Sequence, residues 1–161
     1  MKFLFEDDSW IASINWSKPV EYLKVKKFGS RYDGSPKLYK ITGQYLNNPP
    51  KLLYVGKTYK QSVSRRLNQQ DHIKRYDEIK DEHPKHKILI SLGNIIVENG
   101  ILNSKRVDEI ESILIYTHDS DFIFNDKKLN YLPMKEQYVV RNTGYSAPFY
   151  KEIKFGITVK E

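Results

Sequence analysis

The sequence predicts a small α/β (α+β) fold, a central β-sheet flanked by helices, within a single domain spanning residues 1–161. Three observations predict it. Strand-like and helix-like stretches follow one another as strand, strand, helix, strand, helix and then a β-rich tail, the order of a small α/β sandwich rather than a doubly wound sheet. The chain has 161 residues, 39% of them apolar, and at about 150 residues a fold hides roughly 68–70% of the surface of its unfolded chain. No internal repeat, low-complexity tract or Ser/Gly-rich linker divides it.

Each element has a local reason. Ile11–Trp16 and Val20–Val25 carry short alternating apolar pieces broken by Pro19, Gly29, Gly34 and Pro36, which predicts an extended N-terminal segment with one or two strands. Lys37–Thr42 and Lys51–Val55 are strand-like, and Asn47-Asn48-Pro49-Pro50 between them signals a turn, so the pair predicts a hairpin. Gln61–Lys80 lacks Gly and Pro and spaces Val63, Leu67, Ile73, Tyr76 and Ile79 as a helix does, with Ser62 as its cap. Pro84 ends it, because the residue before a proline leaves the α region. Ile88–Val97 reads as a buried strand interrupted at Gly93-Asn94. Asn103 or Ser104 caps a second helix over Lys105–Thr117, striped by Val107, Ile110, Ile113 and Leu114. Asp119–Asp126 reads as a loop with apolar anchors, and Tyr138–Arg141 and Glu152–Val159 as strands.

Composition removes several classes of function. The chain has no cysteine, which rules out disulfides, thiolate zinc sites and a cysteine nucleophile. No apolar run approaches membrane-spanning length, and Met1–Phe5 is followed at once by Glu6-Asp7-Asp8, unlike a signal peptide. The expectation is a cytoplasmic chain with no membrane partner. The net charge of +7 is unevenly placed. Residues 18–87 hold 17 Lys/Arg against seven Asp/Glu, whereas residues 88–161 hold nine against ten. A basic half of this kind suits a phosphate-bearing partner.

Within that half, Lys37-Leu38-Tyr39, then Tyr54-Val55-Gly56-Lys57, then Arg65-Arg66-Leu67 fall on successive elements. Glu111-Ser112-Ile113-Leu114-Ile115 and Asn125 follow. Phosphodiester hydrolysis needs an activated water, a cation for the developing charge and, commonly, a divalent metal. Gly56 lets a backbone approach a ligand closely, and an arginine offers phosphate a bidentate fork. Asp108–Asp126 holds six carboxylates and no Lys or Arg, an inviting place for a hard cation in a basic chain. Taken singly, each residue also has an ordinary reading. Strands favour tyrosine, Lys57, Arg65 and Arg66 are surface charges, His72 lies on a polar helix face as an exposed bystander or phosphate contact, and Glu111 makes a rim salt bridge.

Taken together, over about Lys37–Asn125, these motifs resemble the GIY-YIG nuclease superfamily. The resemblance covers residues 37–125 as a catalytic core, with 1–36 and 126–161 as extensions packed on it. Three departures stand out. The first motif lacks its usual glycine, and two extra residues separate Tyr54 from the arginine, so Arg66 matches best with Arg65 as its rival. The family's residue one turn after the arginine falls at Gln70, and His72 lies two positions further. The resemblance implies a metal-dependent endonuclease, restriction-like or stand-alone, that hydrolyses phosphodiester bonds of double-stranded DNA as a monomer or homodimer. By that resemblance Tyr39 would activate or position water with Tyr54 and Lys57, Arg66 (or Arg65) would hold the phosphate, His72 would shuttle a proton or contact the backbone, and Glu111 would bind magnesium or manganese. Lys60, Arg65, Lys74, Arg75 and Asn125 would contact nucleic acid, Asn125 (or its rival Asn130) also supporting the site. The alternative is a non-catalytic nucleic-acid-binding module on the same fold, and a third reading is a basic α/β domain that binds proteins.

Overall fold

The computed structural model describes residues 2–3, 9–29, 32–118, 123–125, 136–155 and 159–160. Along these run β1 (Lys2–Phe3), β2 (Trp10–Trp16), β3 (Val20–Glu21), α1 (Tyr22–Phe28), β4 (Lys37–Gln44), β5 (Lys51–Thr58) and α2 (Val63–Leu67). They continue with α3 (Gln70–Glu82), β6 (Lys87–Val97), α4 (Ser104–Thr117), β7 (Tyr138–Gly144), β8 (Glu152–Phe155) and β9 (Val159–Lys160). The fold is mixed α+β. One seven-stranded sheet has the order β5-β4-β6-β2-β7-β8, with β3 pairing beside β6, and β1 pairs with β9. No helix among the described residues is long and apolar enough to cross a membrane.

The β4–β5 hairpin forms as the turn residues predict, antiparallel and with Tyr39 opposite Gly56. Its register shifts between Ile41 and Thr42, where Leu53 is the extra residue on β5. A bulge of this kind reorients the strand locally, and Tyr54, opposite Ile41, shares a face with Tyr39. Leu38 and Val55 join the core on the α4 side, with Val107, Ile110 and Leu114. Tyr39, Ile41 and Leu53 join the other, with Val63 and Leu67 of α2 and Ile79 of α3. Alternate residues of β4 thus feed two separate cores, as a strand's period of two requires.

Four expectations are corrected. Val20–Val25 is not one strand: only Val20–Glu21 pairs, and Tyr22 and Val25, three apart on α1, are buried together. Gln61–Lys80 is not one helix. Gln69 adopts extended backbone, and Asn68 turns its amide onto the carbonyls of Ser64 and Lys26, at 2.8 and 3.0 Å. Such side-chain competition for backbone acceptors ends helices without any Gly or Pro. The strand over Lys87–Val97 is continuous through Gly93, where a Cβ would come within 2.8 Å of Ile14 and 2.9 Å of Trp16. Gly93 is there for packing, not for a break. Finally, the N-terminal extension does not merely pack on the core. β2 sits inside the sheet, antiparallel to β6 and parallel to β7.

Two further expectations resolve in detail. Asn103, rather than Ser104, caps α4, accepting from the Arg106 N–H. Of the loop over Asp119–Asp126, residues 123–125 line the β5 edge, while Asp119, Asp121 and Asp126 lie outside the described residues, as does Asn130.

Candidate active site

The site is built at the edge strand β5, where both faces of the sheet are within reach. Tyr39 projects from β4 over Gly56, and a Cβ at position 56 would overlap the phenol ring. Glycine at this position is therefore a steric requirement of the tyrosine beside it. Tyr54 stacks on Tyr39 with centroids 6.2 Å apart, and His72 meets both rings edge-on. Tyr39 Oη lies 2.7 Å from His72 Nε2. Both partners are almost wholly buried, Tyr39 at 1% and His72 at 2% exposure, and what exposure they keep is toward the cavity they line. This corrects the exposed reading of His72. Because the helix restarts at Gln70, position 72 turns inward.

Burial sets the protonation of this cluster. It raises the Tyr39 phenol well above its ordinary value, with Tyr54 adding to the shift and the Arg66 guanidinium opposing it. It also raises Tyr54, helped by the Glu111 carboxylate. It pushes His72 down to about 4, with Arg66 nearby adding to the effect. The resting triad is therefore neutral. His72 Nδ1 is buried without a hydrogen-bond partner. An orphaned buried N–H is rarer in proteins than an orphaned acceptor, which places the proton on Nε2, donating to Tyr39 Oη. The hydroxyl hydrogen of Tyr39 is then left for the cavity.

The cations come from two directions. Lys57, next along β5 after Gly56, forms ion pairs with Asp108 and with Glu111 Oε2, the latter at 3.2 Å. Burial works against its charge, but the hydrogen bond it donates to Asp108 and the attraction of Glu111 outweigh it and hold the ammonium above its usual range. Arg66, in the last turn of α2, enters the cavity, whereas the backbone N–H of its exposed neighbour Arg65 is tied to Ser62 Oγ. The guanidinium of Arg66 grips Asp71 through Nη1···Oδ1 at 2.9 Å and Nη2···Oδ2 at 2.8 Å, and Nη1 also donates to Gln69.

Asn125 holds the edge strand of the site through both ends of its amide. Its Oδ1 accepts from the Val55 N–H at 3.0 Å, and its Nδ2 donates to the Val55 carbonyl at 2.8 Å. The Phe124 N–H donates to the Leu53 carbonyl beside it. One asparagine thus stands in for a neighbouring strand along the β5 edge, whose backbone groups need partners. With both ends of its amide engaged, Asn125 supports the strand at the rim of the cavity.

Tyr39, Tyr54, Lys57, Arg66, His72 and Glu111 line one cavity of about 500 Å³. Arg75, Asp71 and Asp108 complete its charged lining. Arg75 also pairs with Glu78 at 2.9 Å. Of the expected nucleic-acid contacts, Lys60, Arg65 and Lys74 are exposed and outside this lining. Asp71 is the residue sequence reasoning missed, because it occupies no slot in any motif and its pairing depends on the turn between α2 and α3.

Two carboxylates form the donor set that the site offers a metal. Glu111, 7% exposed, and the half-exposed Asp108 stand three residues apart on α4 and converge on the same ammonium. Hard carboxylate oxygens at a water-accessible cavity fit magnesium, which binds through one or two carboxylates and keeps several waters. Among the described residues no cluster of three or more His, Cys, Asp or Glu side chains is arranged to hold a metal. Compared with known proteins, the chain matches no family model, no curated protein and no solved structure.

Proposed function

We propose that this cavity hydrolyses phosphodiester bonds of DNA, and that residues 37–125 form a GIY-YIG-like nuclease core. One observation carries the reading: six side chains singled out in the sequence, and carried by five elements, line the same cavity. Arg66 supplies the fork that matches two phosphate oxygens. Lys57 adds a second positive charge at the developing negative one. Tyr39 positions the attacking water through its hydroxyl. For it to take the water's proton, its phenolate must be favoured, and the His72 Nε2–H and the nearby Arg66 both favour it. Glu111, with Asp108, would hold a divalent metal, which when bound polarises the phosphate. Tyr54 walls the cavity and excludes water from the Tyr39–His72 hydrogen bond.

The test is duplex DNA incubated with magnesium, with manganese, and with excess EDTA. Cutting is expected only with metal. Glu111→Ala should abolish cutting while leaving duplex affinity within about threefold of wild type. Tyr39→Phe should lower the single-turnover rate by about 10²-fold or more, the size of a general acid–base contribution. Full cutting in EDTA removes the metal assignment. Tight duplex binding with no cutting under any metal replaces the nuclease with a non-catalytic module.

A further inference from the structure

The cavity is lined by three cations and three carboxylates, so its formal charge is balanced before any ligand arrives. The balance is total rather than local: Lys57 faces both Asp108 and Glu111, Arg66 is matched by Asp71 alone, and Arg75 pairs with Glu78 outside the lining. The Arg66–Asp71 pair has the geometry a phosphate would adopt, with two parallel N–H···O bonds to two oxygens of one planar group. Asp71 is the most exposed of the three carboxylates. Its side chain is 63% exposed, against 49% for Asp108 and 10% for Glu111. It sits in the first turn of α3, where the helix dipole favours a carboxylate even without its arginine. The pair also spans two helices rather than one, so a small rotation of the Asp71 side chain frees the fork without breaking an element.

We propose that Asp71 is an intramolecular competitor for the Arg66 fork, holding the place of a nucleic-acid phosphate and returning to displace the cleaved phosphate end. The inference rests on the nuclease reading for the identity of the ligand. Its physical core is that a carboxylate and a phosphate cannot both take the same two N–H groups. A competitor of this kind weakens substrate and product by the same factor. It keeps the fork charge-paired in the empty protein and speeds product departure.

The experiment is a double-mutant cycle on the full chain, read by binding to a short duplex and by titration with inorganic phosphate, both in EDTA. Asp71→Asn should tighten both ligands by about fivefold, the scale of breaking an exposed ion pair. Asp77→Asn removes the same charge from the same helix and controls for general electrostatics. In an Arg66→Ala background, Asp71→Asn should gain no more than that control. With magnesium, Asp71→Asn should lower steady-state turnover relative to its own single-turnover rate, because the product leaves more slowly. Circular dichroism checks that each variant folds. Asp71→Asn binding no tighter than Asp77→Asn, or an equal gain without Arg66, overturns the proposal. Wild-type protein that never cuts, with the binding cycle intact, removes the nuclease reading and leaves the competitor standing. Wild-type protein that cuts, with the cycle absent, does the opposite.

Discussion

The Tyr39–His72 hydrogen bond joins two groups whose burial forces each toward its neutral form. This has a measurable consequence for stability. The folded His72 pKa, about 4, lies below the ordinary 6.5, so between those values the unfolded chain binds a proton that the native protein refuses. Stability from this group is therefore complete above pH 6.5 and lost as pH falls toward 4. At 1.36 kcal/mol per pKa unit the loss is about 3 kcal/mol. His72→Gln, which keeps a donor for Tyr39, should flatten that part of the profile in urea titrations at pH 7 and 4.5. An unchanged slope would mean that His72 is protonated in the native state. Gly56 makes the complementary steric case. Gly56→Ala should cost about 1–3 kcal/mol through overpacking against Tyr39, and most of that cost should vanish in a Tyr39→Ala background. Urea midpoints of the four proteins give the coupling, and additive costs would mean that the ring is not the obstacle.

At the level of elements, the site depends on an edge strand held from outside its own sheet. β5 has β4 on one side, and on the other the Asn125 amide takes the Val55 N–H and carbonyl. Asn125→Ala leaves both groups without those bonds, at about 1–3 kcal/mol for an unsatisfied buried group. Lys57 follows two residues later, so cleavage should fall by more than the folded fraction does. Asn125→Asp should share the defect, since a carboxylate cannot donate to the Val55 carbonyl. Hydrogen exchange at the Val55 amide reports the edge directly. Protection equal to wild type in Asn125→Ala would show that another group pairs it. The α2–α3 junction is the second such device. Asn68 and Gln69 stop one helix and start another, which aims Arg66 and His72 at the same cavity.

For the whole molecule, charge is divided between a balanced cavity and a basic exterior. Lys60, Arg65 and Lys74 are exposed and lie outside the cavity lining. If they meet the backbone of a bound duplex, each lost contact should reduce the slope of log K against log salt by about 0.9. Arg65→Ala with Lys74→Ala should flatten it by about two, while single-turnover cleavage at saturating protein persists. A salt titration with unchanged slope would assign the duplex to another face. Lys40 belongs to the same basic half yet faces the other way. It is fully buried, with Nζ donating to the carbonyls of Tyr145 and Ala147 at 2.6 and 2.7 Å and lying between the rings of Trp16 and Phe149. Burial pushes it down to about 7, and it ties the C-terminal strands to β4.

The sequence by itself determined the element types around the site: the β4–β5 hairpin, the α4 stripe with Glu111 at its border, and the order in which tyrosines, lysine, arginine and carboxylate follow one another. Local rules carry these features, since period, turn chemistry and capping act over a few residues. Only the tertiary structure decided what each side chain faces. It turned His72 inward, paired Arg66 with Asp71, set Asn125 against β5 and buried Lys40. It also placed β2 between β6 and β7. Those outcomes depend on a helix break of two residues, a bulge of one and, the Arg66–Asp71 pair apart, contacts between positions at least 33 apart in the chain. Local composition does not encode such distances, because an arginine or a histidine reads the same in sequence whether water or another side chain completes its surroundings.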